Sequence, residues 1–308
     1  MRSAQAADEG MYNAGYRLQF AGGGPARAFL KVGPPADVPV LTYEHDLLRT
    51  EARVLGELAD AGLAAAPRVL AADFSRRIVD RDGLFMTWLD GELLSKVGPS
   101  LALEDRVALR RQVGRIAGEA NRIAGPFFGY PGQPALQASS WAAAFRLMIG
   151  ALFDDAERFG ADLPTPSAEL ARQFERALPL LDGAQTAQLV HYDLWDGNVL
   201  VRETAAGWSV SGVIDWERAF YGDPLAEVVS LSLFAGPEER TALLQGLAEG
   251  WGRPWDAGGP DERRLALYRA YLWLIMIEEA KPRGFGGSIL LPSSRAARRL
   301  QRDLAAAA

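Results

Sequence analysis

The chain has 308 residues, a formal net charge of −6 and a sequence pI near 5.2, with 49% hydrophobic and 23% charged residues. It has no cysteine and two histidines, His45 and His191, which excludes disulfides, thiolate catalysis and three-His metal sites. The length suits a core divided between two lobes, and the acidic balance argues against a nucleic-acid binder while suiting a cationic small molecule.

The start, MRSAQAADEG, lacks the apolar core of a signal peptide. The most apolar stretch, Ala270 to Ile277, is far shorter than the about 20 apolar residues a bilayer span needs. A soluble, cytoplasmic chain with no membrane association is the expectation.

In chain order, Tyr12 to Phe20 alternates as a strand does, Ala21 to Arg27 (AGGGPAR) reads as a glycine turn, and Ala28 to Val32 reads as a second strand broken by Lys31. Gly33 to Pro39 is a loop. Tyr43 to Ala61 predicts a helix, with Leu47, Leu48, Glu51, Leu55 and Leu58 on one face and His45 at its surface. Pro67 to Ala72 and Leu84 to Leu89 predict two more strands, and Asp90 to Leu94 a linking turn. Amphipathic helices are then expected over Glu104 to Ile123, Ser140 to Phe159, Ser167 to Leu181, Pro237 to Gly250, Asp261 to Ala280 and Ser293 to Leu304. A small β island interrupts them: Leu189 to Val190, Val199 to Val201 and Trp208 to Ile214.

The unusual residues sit in that island. Residues 189 to 201 read LVHYDLWDGNVLV: an apolar strand, a loop holding His191, Asp193, Asp196 and Asn198, and a return to an apolar strand. Asp215 closes the next strand, seventeen positions after Asn198, which is room for a hairpin that brings its two ends side by side. Asn198, Asp215 and Asp193 then converge. An oxygen-only cluster of this kind suits Mg²⁺ shared with nucleotide phosphates. The metal needs two of the three, Asn198 and Asp215, so Asp193 is available to orient a hydroxyl or accept its proton in phosphoryl transfer.

His191-x-Asp193-x-x-x-x-Asn198, followed by a strand and Ile214-Asp215-Trp216-Glu217, resembles the aminoglycoside phosphotransferase family of kinase-like enzymes, as does Gly222 to Glu227. The resemblance runs from about Glu9 to the last helices. It implies an α+β, two-lobed, protein-kinase-like fold, with a β-rich N-lobe carrying one helix over residues 1–89 and a larger, mainly helical C-lobe over 90–308. It implies transfer of the γ-phosphoryl group of ATP or GTP, with Mg²⁺, to a hydroxyl of a small molecule, an antibiotic above all. Asp193 is then catalytic, Asn198 and Asp215 are metal ligands, and His191 is a structural member of the loop.

The family also pairs a strand lysine with a helix glutamate. Glu51 lies on an apolar face where a carboxylate needs a partner, and Lys31 supplies one; Glu44, on a similar face, is the alternative to Glu51. The segment Glu9 to Tyr16 resembles the phosphate-covering loop, offering backbone amides near Asn13 and Gly15, and Met86 to Leu89, with Trp88, occupies the purine-contacting connection. Asp196, Glu217, Asp154, Asp155, Glu157, Glu278 and Glu279 form an acidic supply for a cationic acceptor, with Trp195 and Trp216 beside the two motifs. Arg295, Arg298, Arg299 and Arg302 read as a solvated helix face. A metabolic kinase of fructosamine or choline type and a nucleotide-binding pseudokinase remain as alternatives.

Overall fold

A computed structural model describes residues 1–7, 12–22, 25–35, 37–255, 261–282 and 293–308. Five antiparallel strands open the chain: β1 (Ser3–Ala7), β2 (Ala14–Gln19), β3 (Arg27–Val32), β4 (Val69–Asp73) and β5 (Gly83–Thr87). Their order is β1-β2-β3-β5-β4, which puts β3 at the centre. Its Lys31 pairs with Gly15 on one side and Leu84 on the other. The strand β1 has no counterpart in the predicted elements. Its sequence, SAQAA, carries no β-branched or aromatic residue, and it forms by adding main-chain hydrogen bonds to an edge.

The single helix of this half, α1 (Leu47–Asp60), packs Leu48, Val54, Leu55 and Leu58 into the core, and Glu51 shares that buried face. It starts later than predicted. Thr42–Glu44 is a separate 3-10 turn, and Asp46, in the left-handed region at φ 59°, breaks the chain before the helix. His45 is exposed at that break rather than on a helix. Glu44 is therefore on a different element from Glu51, and its carboxylate accepts from Leu41 N–H at 3.0 Å.

The chain leaves the sheet through Trp88 to Gly91 and enters β6 (Glu92–Leu93) and α2 (Leu94–Val97). Gly91 holds φ +154°, and a Cβ there would stand 2.9 Å from Val201 O, so a side chain at this crossing would push the connection off the backbone at Val201. Then come α3 (Leu103–Ala120), α4 (Trp141–Phe159), α5 (Ser167–Ala177), β7 (Gln188–Val190), β8 (Val199–Thr204), β9 (Gly207–Val213), β10 (Phe220–Gly222), α6 (Glu227–Leu231), α7 (Pro237–Trp251), α8 (Glu262–Glu278) and α9 (Ser293–Ala307). The result is the expected α+β arrangement, a sheet-bearing N-terminal lobe and a larger helical lobe.

Two features position the site. The hairpin β8–β9 pairs Val199 with Val213, and Ile214 N–H donates to Asn198 O at 3.0 Å. The helix α8 is not amphipathic as predicted but buried nearly all round from Leu265 to Glu278, because α4, α6 and α9 pack on different sides of it. Arg295 and Arg298 of α9 are exposed. No helix among the described residues is long and apolar enough to cross a membrane.

Candidate active site

Lys31 is the centre of the site. Its ammonium donates to Glu51 Oε2 at 2.7 Å and Oε1 at 2.9 Å, to Asp215 Oδ1 at 2.5 Å and to Glu217 Oε2 at 3.3 Å. Three elements meet at this one charge: β3, α1 and the turn after β9. Burial opposes the ammonium, but Asp215, Glu51 and Glu217 outweigh it and hold Lys31 well above its usual range. Burial likewise opposes the Asp215 carboxylate, and the charge and hydrogen bond of Lys31 overcome it, so Asp215 is held low. Glu217 goes the other way: burial first, then the neighbouring Asp215 charge, hold it well above the usual carboxylate range. One ammonium cannot neutralise three buried carboxylates, and Glu51, chiefly through burial, is also held above the usual range.

The loop from His191 to Asn198 is built from buried hydrogen bonds. His191 is fully buried, and its Nδ1 accepts from Asp193 N–H at 3.3 Å. The ring proton therefore lies on Nε2, which donates to Ile214 O at 3.0 Å. Burial lowers the imidazole's affinity for a second proton, so the ring is neutral. His191 thus binds the loop to the end of β9 and is spent as a base. Glu227 accepts from His191 N–H at 2.7 Å and Tyr192 N–H at 3.2 Å, which accounts for the buried glutamate ending the Gly222 to Glu227 segment. Tyr192 and Asp215 both sit in the left-handed region, at φ 61° and 68°, a conformation that side-chain-bearing residues hold only when packing fixes it.

Asn198 donates its amide N–H to Asp193 O at 2.7 Å. That bond, with the β8–β9 register, sets Asn198, Asp215 and Asp193 on one wall of a cleft of about 480 Å³. Lys31, Asn13, Gly15 and Met86 line its other side. Asn13 Nδ2 donates to Glu217 Oε2 at 2.5 Å, and Asn13 Oδ1 is buried with no partner among the described residues. Glu9, Gly10 and Met11 of the expected phosphate loop lie outside the described residues. Trp88 lies under Arg17 and Arg27, each 5.6 Å from its ring, and donates to Asp90 at 2.8 Å.

Glu51, Asp215 and Glu217 bring carboxylate oxygens within 4.8 Å of one another around the Lys31 ammonium, which leaves Asp215, with the Asn198 amide oxygen, as the hard-oxygen donors that fit Mg²⁺. Glu217 is thus drawn to the Lys31 side of the cleft, away from the acidic residues of the C-terminal half with which the sequence grouped it. Asp196 is also engaged: Arg110 grips both its oxygens, one bond measuring 3.0 Å, and Arg110 is itself buried. Trp195 lines the cleft and stacks edgewise on Phe234, 6.2 Å away, whereas Trp216 is fully buried core against His191. Glu278 is buried near Asp155, and Glu279 Oε2 stands 3.6 Å from Arg218. Arg218 and Arg110 were not singled out in the sequence. Arg218 follows Glu217 directly, and that adjacency is the only signal it leaves.

A two-lobed fold with a strand lysine on a helix glutamate, facing an aspartate–asparagine loop and a second aspartate across a cleft, defines a kinase-like phosphotransferase. The family described as the phosphotransferase enzyme family matches residues 3–268, and the chain belongs to it. It is a small-molecule phosphotransferase. Among solved structures it is similar to a thermostable mutant of the aminoglycoside phosphotransferase APH(4)-Ia in complex with ADP and hygromycin B, at 20% identity and TM-score 0.65, covering 100% of this chain and 95% of that one. It is also similar to a macrolide 2′-phosphotransferase from Brachybacterium faecium (20%, TM-score 0.56, 99% and 91% covered). A third is the GDP and kanamycin complex of APH(2″)-IIIa (14%, TM-score 0.60, 99% and 93%). No curated protein matches the chain in sequence.

Proposed function

We propose that this enzyme moves the γ-phosphoryl group of ATP or GTP to a hydroxyl of a cationic small-molecule antibiotic. The observation that carries the reading is the convergence of Lys31, Asp193, Asn198 and Asp215 on one cleft. The division at residues 89 and 90 is the division of labour in this reading, nucleotide on the sheet side and acceptor on the helical side. Asn13 and Gly15 meet the phosphates through backbone amides, Met86 to Leu89 meet the purine through backbone groups, and Lys31, braced by Glu51, holds phosphate oxygens. Asn198 and Asp215 would hold Mg²⁺, which neutralises phosphate charge when bound.

In the transfer step the acceptor oxygen bonds to the γ-phosphorus, and the bond to the β–γ bridging oxygen breaks. The nucleoside diphosphate leaves, and the hydroxyl proton passes to Asp193. Catalysis is positioning plus charge stabilisation. A reaction that consumes a nucleoside triphosphate suits the cytoplasm.

Support for a cationic acceptor comes from the solved structures to which this chain is similar, not from the buried acidic residues of the helical side. Both oxygens of Glu278 are buried without a hydrogen-bond partner among the described residues. Burial, with Asp155 beside it, holds its carboxyl well above the usual range, and it lies outside the lining of the cleft, so it is a packed carboxyl rather than an acceptor contact. The solved structures similar to this chain include complexes with hygromycin B and kanamycin, and with ADP, AMP-PNP and GDP. The test is radiolabelled γ-phosphate transfer from ATP and from GTP to aminoglycosides, macrolides, choline and fructosamines. Transfer confined to choline or a fructosamine makes the protein a metabolic kinase, and nucleotide binding without transfer to any acceptor makes it a pseudokinase.

A further inference from the structure

Arg218 is a cation on the floor of the cleft that the phosphotransfer reading does not use. It ends the 3-10 turn Trp216–Arg218, three residues after Asp215, and its side chain is 18% exposed. Three carboxylates from three elements surround it. Glu44 Oε1 on the turn before α1 is at 3.4 Å, Glu279 Oε2 just after α8 at 3.6 Å, and Asp193 Oδ2 on the catalytic loop at 3.8 Å. Tyr43 presents its ring face at 5.7 Å. Burial opposes the charge, and Tyr43, Asp193, Glu279 and Glu44 hold the guanidinium well above its already high value, so it is a permanent cation.

The backbone of Asp193 is fixed by His191 and Asn198, but phosphoryl transfer depends on where its carboxylate lies. Glu44 and Glu279 are both buried, so Arg218 is braced from two sides before it meets Asp193. A planar guanidinium presents several donors in a fixed fork, so it can serve several anions at once and hold their relative positions. At 3.8 Å the contact with Asp193 lies beyond hydrogen-bond reach, so it steers the carboxylate without occupying an oxygen lone pair.

We infer that Arg218 is a positioning residue: its guanidinium, anchored by Glu44 and Glu279, fixes the Asp193 carboxylate in line with the incoming acceptor hydroxyl. The inference rests on the phosphotransfer reading, and the two are separated by a double-mutant cycle. Wild type, Arg218→Ala, Asp193→Asn and the double variant are compared for kcat, for KM of both substrates and for nucleotide binding. Arg218→Ala is expected to lower kcat about 10²-fold, the scale of a misplaced reacting group, with nucleotide KM and binding unchanged. In the Asp193→Asn background the same change adds little further loss, because Arg218 acts through Asp193. Arg218→Lys recovers part of the rate. Losses that multiply in the double variant overturn the inference and make Arg218 a phosphoryl-gripping or independently structural group. An unchanged kcat in Arg218→Ala overturns it as well, while leaving the phosphotransfer reading intact. Retained transfer by Asp193→Asn overturns both. If Arg218→Ala melts below assay temperature, Arg218→Gln and Arg218→Lys carry the same cycle.

Discussion

Lys31 Nζ lies 2.5 Å from Asp215 Oδ1 and 2.7 Å from Glu51 Oε2, so one ammonium joins the central strand, the lone N-terminal-lobe helix and the turn after β9. A change at Lys31 should therefore act on both lobes. Lys31→Met is expected to lower kcat about 10²-fold, the usual cost of deleting one preorganised donor, and to raise nucleotide KM. Steady-state kinetics with varied nucleotide check this. A variant with wild-type kinetics would remove Lys31 from the site.

The Arg110–Asp196 pair gives a second prediction. Its guanidinium is 6% exposed, so deleting Asp196 leaves a buried cation beside Glu239. Asp196→Ala is expected to cost about 3 kcal/mol of stability, in the range for breaking a buried ion pair. Denaturant unfolding measures it. If stability is unchanged and only acceptor KM rises, Asp196 belongs to the acceptor site after all.

Glu278 gives a pH-dependent prediction. Its folded-state carboxyl is raised, chiefly by burial, so its contribution to stability is full below the unfolded value of about 4.5 and is lost as pH rises. Glu278→Met is expected to stabilise the acceptor-free protein by about 1–2 kcal/mol at pH 7, with the gain shrinking toward pH 4.5. Melting curves across that interval check the sign.

Much of this was legible in the sequence because it is local. The seventeen-residue spacing from Asn198 to Asp215 specifies a hairpin, and β8–β9 is that hairpin. Glu51 on an apolar stripe implied a buried cation, and Lys31 is there. The illegible parts are those that depend on distant packing. β1 has no apolar pattern and exists because β2 offers an edge. Asp196 meets Arg110 from a helix 86 positions away, and Arg218 gathers Glu44, Asp193 and Glu279 from across the chain. The run from Leu265 to Ile277 was apolar enough to have been read as buried all round rather than amphipathic.

The central claim is phosphoryl transfer at a cleft that joins Asp193 to the Asn198–Asp215 pair. It is tested most directly by measuring γ-phosphate transfer and nucleotide binding in parallel for wild type, Asp193→Asn and Asp215→Ala. The account predicts transfer by the wild type, a loss of about 10²-fold or more in Asp193→Asn with nucleotide binding retained, and no Mg²⁺-dependent turnover in Asp215→Ala. Undiminished transfer by Asp193→Asn, or Mg²⁺-dependent turnover by Asp215→Ala, would contradict it.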